Sequence, residues 1–306
     1  MSDNYLIWLN GKIVPRNEAV VNVLSPMAQF GANVFEGIRC YWNDEEQQLY
    51  AFRLEDHYKR LKNSMKMFRM EDKYTVDELK RGLMDVVQAN NYKEDIYVRQ
   101  TVFIDGFGSW KSKGPVNMFI APITRSRINV EKNTGIRCCI SSWERISDRN
   151  LSPKIKAGAN YINSRMAQME ALESGYDSAI FLNDKGKVSE GPGSCLFIVR
   201  DGKLVTPAVS SSILESITRD TVLELAKKEL GIEVVEREVD RTELYISDEA
   251  FLCGSSMEIA PVVSVDGIMV SNGKQGNITK EIHKIYLDTA TGKLEAFKKW
   301  LTPIYS

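Results

Sequence analysis

Apolar positions along the first half of the chain alternate between two spacings. Tyr5, Leu6, Ile7, Trp8 and Leu9 form a short apolar run that stops at Asn10-Gly11, a pair suited to the positive-φ positions of a hairpin turn. Leu49 to Leu54, Ile96 to Ile104 and Val116 to Pro122 predict further strands. Between them the period lengthens. Glu55 to Met67 has helical spacing, and Val76, Leu79, Leu83, Val86 and Val87 recur at helical intervals behind Thr75 and Glu78, the signature of a capping box.

The polar stretch Thr124 to Thr134 breaks this pattern and is read as an interdomain linker, separating a domain at 1–123 from one at 135–306. Beyond it, strands are predicted at Ile136 to Ser142, Ser178 to Asn183, Cys195 to Arg200 and Ala250 to Cys253, with turns at Lys185-Gly186, Asp201-Gly202 and Asp266-Gly267. Two helices are expected, Asn163 to Ser174 ended by Gly175 and Thr218 to Leu230 ended by Gly231. The sum is a mixed α+β pattern without strict β-α-β alternation. Gly106 and Gly108 lack the third glycine and following helix of a dinucleotide fingerprint, so a doubly wound nucleotide fold is disfavoured.

Composition narrows the partners. The chain has 306 residues, 43% of them apolar, enough for two domains of ordinary size. Lys and Arg number 40 against 41 Asp and Glu, so no basic excess points to nucleic acid. The five cysteines form no C-x-x-C pair, and two histidines are too few for an evident metal-ligand set, which suggests reduced thiols and no metal. The N-terminus lacks a signal-peptide pattern, and no run approaches the roughly 18–20 apolar residues that span a bilayer. A cytoplasmic protein with a small-molecule partner is expected.

Candidate chemistry begins at Lys156, which is followed by the small residues Ala157, Gly158 and Ala159, leaving room for a bulky group beside the amine. Ser152 and Asn160, its neighbours at helical spacing, are not acidic, and a lysine that forms a Schiff base is helped by the lack of a carboxylate partner. Most lysines are solvated, so the pattern gains weight only from partners. From Asp184 to Ser194 a strand, turn and strand bring Glu190 among Gly191, Pro192 and Gly193, where a carboxylate can keep a pyridinium nitrogen protonated; the plain alternative is an exposed turn acid. Ser216, Ile217 and Thr218 open a helix whose amides suit a phosphate, Gly254, Ser255 and Ser256 suit a second amide nest, and Arg60 offers countercharge. Taken singly, these read equally well as a capped helix, a turn and a surface arginine. His57, on the face of an amphipathic helix, is read as structural.

In chain order, Phe35-Glu36-Gly37-Ile38-Arg39, His57 with Arg60-Leu61, Tyr97 with Arg99, Lys156-Ala157-Gly158 with Asn160-Tyr161, Ser189-Glu190-Gly191, Ile217-Thr218-Arg219-Asp220, and Gly254 with Glu258 resemble the class IV aminotransferases. Within that family the branched-chain amino acid aminotransferases are most similar, and the likeness runs from Trp8 and Asn10-Gly11 to beyond Pro261. The resemblance implies a homodimeric fold-type-IV pyridoxal 5'-phosphate enzyme with a small N-terminal α/β domain and a larger C-terminal domain on a β-barrel-like sheet. It implies that Lys156 carries the cofactor as a Schiff base and moves the proton between the substrate α-carbon and the cofactor C4' carbon. Glu190 would pair with the ring nitrogen, Tyr161 with the phenolic oxygen, and Arg60, Ile217, Thr218 and Ser255 with the phosphate. Phe35, Gly37, Arg39, Tyr97 and Arg99 would line the substrate pocket, Arg99 taking the distal carboxylate of glutamate, and the amides of Ser255 and Ser256 would take the α-carboxylate. The implied reaction moves the amino group of a hydrophobic, branched-chain L-amino acid to 2-oxoglutarate.

Some positions depart from the branched-chain pattern. Phe30 stands in place of a tyrosine, Ile123 and Ser126 fall where aromatic residues are common, and Cys195 replaces an asparagine. Glu215-Ser216 replaces proline-glycine and puts an acid near the expected phosphate, and Met257 replaces a small residue beside the carboxylate turn, narrowing it. These leave open a D-amino acid, chiral amine or specialised-substrate transaminase, or an aminodeoxychorismate lyase-like enzyme. A non-catalytic protein that keeps the fold is disfavoured by intact Lys156, Tyr161 and Glu190.

Overall fold

The computed structural model of the chain describes residues 5–305. In chain order the first elements are β1 (Leu6–Leu9), β2 (Lys12–Pro15), α1 (Pro26–Phe30), β3 (Asn33–Asn43), β4 (Gln48–Phe52), α2 (Leu54–Met67), α3 (Val76–Asn90), β5 (Ile96–Ile104) and β6 (Val116–Thr124). There follow β7 (Ile136–Ile140), α4 (Tyr161–Glu173), β8 (Ser178–Ile180), β9 (Cys195–Arg200), β10 (Lys203–Pro207), α5 (Ile217–Lys228), β11 (Val234–Arg237), β12 (Glu249–Gly254), β13 (Glu258–Val265), β14 (Ile268–Met269), α6 (Asn277–Ala290) and β15 (Leu301–Pro303). The local signals act as expected. Asn10 and Gly11 both take positive φ at the β1–β2 turn, and Thr75 and Glu78 form the reciprocal capping box of α3.

Compact units do not follow a single cut in the chain. One unit holds residues up to Arg127, Ile155–Ala159 and the chain from Asp288 on; the other holds Ile128–Lys154 and Asn160–Leu287. This differs from the expected 1–123, linker and 135–306, and the two are nearly equal in length rather than small and large. Two backbone pairings cause it. β15 joins β4 through Leu301 opposite Phe52, and Ala157 bridges Val34 on β3.

The first unit is an antiparallel sheet in the order β15-β4-β3-β5-β6-β1-β2. Alternation divides its faces: Val34, Ile38 and Cys40 of β3 and Val98 and Val102 of β5 bury against Tyr58 and Leu61 of α2 and Leu79 and Leu83 of α3. The opposite parity places Phe35, Gly37 and Arg39 opposite Thr101, Arg99 and Tyr97, all on the other face. The pattern reading omitted β3 although it is eleven residues long. Both its faces are buried, and Glu36, Gly37 and Arg39 interrupt the apolar alternation that marks a strand.

The second unit is an eight-stranded sheet ordered β11-β10-β9-β12-β13-β7-β8, with β14 added to β13. One face gathers Leu196, Ile198, Val205 and Leu252, the other Phe197, Phe251 and Cys253 with Val222 and Ala226 of α5. The helix α4 is inverted relative to an ordinary surface helix. It buries Ser164, Ala167 and Ala171 and exposes Ile162, Met166, Met169 and Leu172. Among the described residues no helix is long and apolar enough to cross a membrane.

Candidate active site

The first unit presents the lysine on an extended segment. The Lys156 carbonyl accepts the Phe35 N–H at 2.9 Å, its own N–H is directed to Ser64 Oγ at 3.2 Å, and Gly158 N–H donates to the Asn33 carbonyl at 3.1 Å. Lys156 is therefore laid against the start of β3, and helical spacing to Ser152 and Asn160 does not apply. The small neighbours also have a packing cause. Ala157 is buried in the core, a Cβ on Gly158 would stand 2.6 Å from the Asn33 side chain, and Ala159 packs against Gly31. The half-buried Lys156 keeps its Nζ 5.0 Å from the Phe35 ring centroid.

Phe35 is shared. The Arg99 guanidinium lies 3.6 Å from the same ring centroid, a cation stacked on an aromatic face. Gly37, paired with Arg99 across the strands, has no side chain because Tyr97 fills the space: a Cβ there would stand 2.1 Å from the Tyr97 hydroxyl. Arg39 is almost fully buried, donates to the Arg125 carbonyl at 2.6 Å and packs 5.0 Å from the Tyr41 ring centroid. Of the five expected pocket residues, Phe35, Gly37, Tyr97 and Arg99 form one continuous patch, with Arg39 beside them tied into the scaffold.

On the other side of β3, Glu36 is wholly buried and receives Arg60 as a fork, Nε at 2.8 Å and Nη2 at 2.7 Å, with His57 Nδ1 at 2.7 Å. Burial alone would push the Glu36 carboxyl up; Arg60 by charge and hydrogen bond, and His57 after it, overcome this and hold it down at about 2. Burial lowers the pKa of His57 more than Glu36 raises it. A neutral imidazole giving Nδ1–H to an ionised Glu36 satisfies both directions. Arg60 is thus not a loose surface cation but one aimed by an anion, and His57 is structural, as read from its helix.

In the second unit Glu190 is buried rather than an exposed turn acid. It follows a short antiparallel bridge, Leu182 with Val188, and precedes a tight turn in which Gly191 pairs with Ser194. Arg145 meets it at 2.9 Å through Nε and 2.8 Å through Nη2. Leu214 N–H donates to the other oxygen at 3.2 Å and the Cys195 thiol lies 3.6 Å from it. Burial pushes the Glu190 carboxyl up, while Arg145, the Leu214 amide and the thiol oppose it. Tyr161, the first residue of α4, lies beside Gly193. The phosphate candidates Ile217 and Thr218 open α5 behind Ser216, whose hydroxyl accepts the Arg219 N–H at 3.2 Å. Ser255 and Ser256 form the turn between β12 and β13, where a Cβ on Gly254 would crowd the Gly193 carbonyl at 3.2 Å.

Two of the departures have a plain structural outcome. Glu215 is exposed, and Met257 is half-buried and packs on the core of the second sheet. Sequence reasoning missed Arg145 entirely and treated Glu36 as part of a motif without a role. A signal existed for both: a carboxylate expected to be buried demands a cation, and Glu36 shares the parity of Val34 and Ile38.

A buried acid held by a guanidinium, a twelve-residue helix starting at Ile217-Thr218, and a half-buried lysine are groups of the kind that pyridoxal 5'-phosphate requires. The family model for amino-transferase class IV matches residues 33–265. The chain belongs to the class IV aminotransferases, which use pyridoxal 5'-phosphate. It is 39% identical to the probable branched-chain-amino-acid aminotransferase of Aquifex aeolicus over 302 residues, covering 97% of this chain and 96% of the relative. Among solved structures it is similar to the branched-chain amino acid aminotransferase of Thermobaculum terrenum in its pyridoxal-phosphate form, with a TM-score of 0.93 and 45% identity over 100% of both chains. It is also similar to the T.th. branched-chain amino acid aminotransferase complexed with N-(5'-phosphopyridoxyl)-L-glutamate, at a TM-score of 0.92 and 36% identity over 99% of each chain.

Proposed function

We propose that this chain transfers the amino group of leucine, isoleucine or valine to 2-oxoglutarate, with Lys156 as the lysine that binds the cofactor aldehyde. The observation that carries the substrate reading is the patch in which Arg99 stacks on Phe35 beside a Gly37 covered by Tyr97. Such a surface offers an aromatic wall to an aliphatic side chain and a guanidinium to a distal carboxylate. The similar T.th. enzyme, complexed with a phosphopyridoxyl-glutamate, supports the second half of that pair.

Bound pyridoxal phosphate supplies the electron sink that lets the substrate α-carbon give up its proton. Lys156 would accept that proton and deliver it to the C4' carbon of the bound cofactor. Glu190 would hold the proton on the ring nitrogen, Tyr161 would donate to the phenolic oxygen, and Arg60 and the amides of Ile217, Thr218 and Ser255 would hold the phosphate. The amides of Ser255 and Ser256 would receive the α-carboxylate. The exposed apolar residues of α4, Ile162, Met166, Met169 and Leu172, support a homodimer, since so large an apolar strip is a surface that a second copy can cover. Five free, buried cysteines fit a reducing cytoplasmic setting.

The test is a panel of half-reactions on the cofactor-loaded enzyme, read from the cofactor's visible absorbance, followed by glutamate formation from 2-oxoglutarate. Leucine, isoleucine and valine should each react, and failure of all three refutes the substrate assignment. Lys156→Ala should lose both the lysine-bound absorbance and turnover; retention of both would refute the role of Lys156.

A further inference from the structure

Glu190 and the side chain that holds it form a buried polar assembly in the second unit. Arg145 places both Nε and Nη2 on one carboxylate oxygen, Oε1, at 2.9 and 2.8 Å. The other oxygen, Oε2, receives the Leu214 amide at 3.2 Å and the Cys195 thiol at 3.6 Å. Oε1 thus carries one charge-assisted hydrogen bond and a second close guanidinium contact, while Oε2 has one backbone amide donor and, in the weak thiol, a contact that a stronger N–H donor can displace.

Arg145 is itself fixed at several points. Its backbone N–H donates to the Leu182 carbonyl at 2.9 Å, its Nη1 reaches Asn163 Oδ1 at 3.2 Å, and its guanidinium packs 5.5 Å from the Phe181 ring centroid. Asn163 in turn donates to the Glu144 carbonyl at 2.9 Å, which locks the amide that receives Arg145. Side chains held this tightly define an orientation rather than merely balance a charge.

We propose that Arg145 is a positioning residue for transamination: by occupying Oε1 of Glu190 it favours the anionic carboxylate and turns Oε2 to the pyridine nitrogen of the cofactor. The proposal rests on the reading of Glu190 as the ring-nitrogen partner. Burial works against the anion, and Arg145 is its principal opponent. Without the guanidinium the shared proton moves from the ring nitrogen towards the carboxylate, and the electron sink weakens.

The experiment loads the enzyme with 15N-labelled pyridoxal phosphate and reads the ring-nitrogen resonance together with single-turnover rates for leucine, in wild type and in Arg145→Gln, Arg145→Lys and Glu190→Gln. Arg145→Gln should move the resonance towards the unprotonated position and slow proton transfer about ten- to a hundredfold, with the KM for leucine changed by less than roughly threefold. Arg145→Lys, which keeps the charge but not the fork, should fall between; it decides the matter if the glutamine variant does not fold. A wild-type resonance and rate in both arginine variants, alongside a shifted resonance in Glu190→Gln, overturns the role of Arg145 alone. An unshifted resonance in Glu190→Gln overturns the underlying role of Glu190.

Discussion

Glu36 is the residue whose removal is most readily worked out in advance. Its carboxyl is wholly buried, yet Arg60 and His57 hold it at about 2 against an ordinary value of 4.5. A carboxylate with a depressed pKa contributes stability that is fully present above its unfolded value and is lost as pH falls towards the folded one. At roughly 1.4 kcal/mol per pH unit, the interval corresponds to about 3 kcal/mol. Glu36→Gln should therefore cost about 3 kcal/mol near neutral pH, in the range expected when one partner of a buried ion pair is removed. The assay is urea unfolding of the cofactor-loaded protein and the variant at a series of pH values. Their difference in stability should be flat above pH 5.5 or so and shrink between 4.5 and 2. His57, whose pKa burial lowers from 6.5, makes each protein lose stability on its own from milder acidity, a loss common to both that does not enter their difference. A difference that persisted undiminished to the acid end of the series would show that Glu36 is not the anion of this cluster. The variant should also bind the cofactor less tightly, because Arg60 loses the fork that aims it.

Two substitutions separate the parts of the substrate patch. Gly37→Ala would place a Cβ 2.1 Å from the Tyr97 hydroxyl, so the ring must move; a stability loss of about 1–3 kcal/mol and a raised KM for leucine are expected, checked by denaturation and steady-state kinetics. Arg99→Gln should raise the KM for 2-oxoglutarate by roughly 30- to 150-fold, the equivalent of losing about 2–3 kcal/mol of charge-assisted hydrogen bonding, with a much smaller change for leucine. Equal losses for the two substrates would mean that Arg99 holds the wall in place and does not read the carboxylate.

What could be seen in the sequence was local chemistry. The capping box at Thr75 and Glu78, the turn at Asn10-Gly11 and the strands Ile96–Ile104 and Cys195–Arg200 depend on neighbours in sequence, and their signals are correspondingly clear. Three features depend on distant pairings and were not visible. β3 hides its period because polar site residues occupy one face and an ion pair interrupts the other. β15 is recognisable only when Phe52 and Tyr50 are there to pair with it. Arg145 lies 45 residues from the carboxylate it holds. The small residues after Lys156 drew attention for one reason and are explained by another: Gly158 and Ala159 give way to Asn33 and Gly31, which brings the lysine against the strand that carries Phe35.

The two buried carboxylates use the same pairing to opposite ends. At Glu36 the fork of Arg60 spreads over both oxygens, Nε to Oε1 and Nη2 to Oε2, and His57 adds a third donor, so both oxygens are engaged by strong donors and the pKa falls. With each oxygen held by the guanidinium, the effect of this acid is to aim the arginine. At Glu190 both guanidinium contacts of Arg145 fall on a single oxygen while the Leu214 amide and a weak thiol donor attend the other, and burial outweighs them all so that the pKa rises. An acid left in that condition gains from a further N–H, and here the arginine aims the acid. The distribution of donors over the two oxygens, rather than the presence of an arginine, thus distinguishes an acid that serves the scaffold from one that can serve a cofactor.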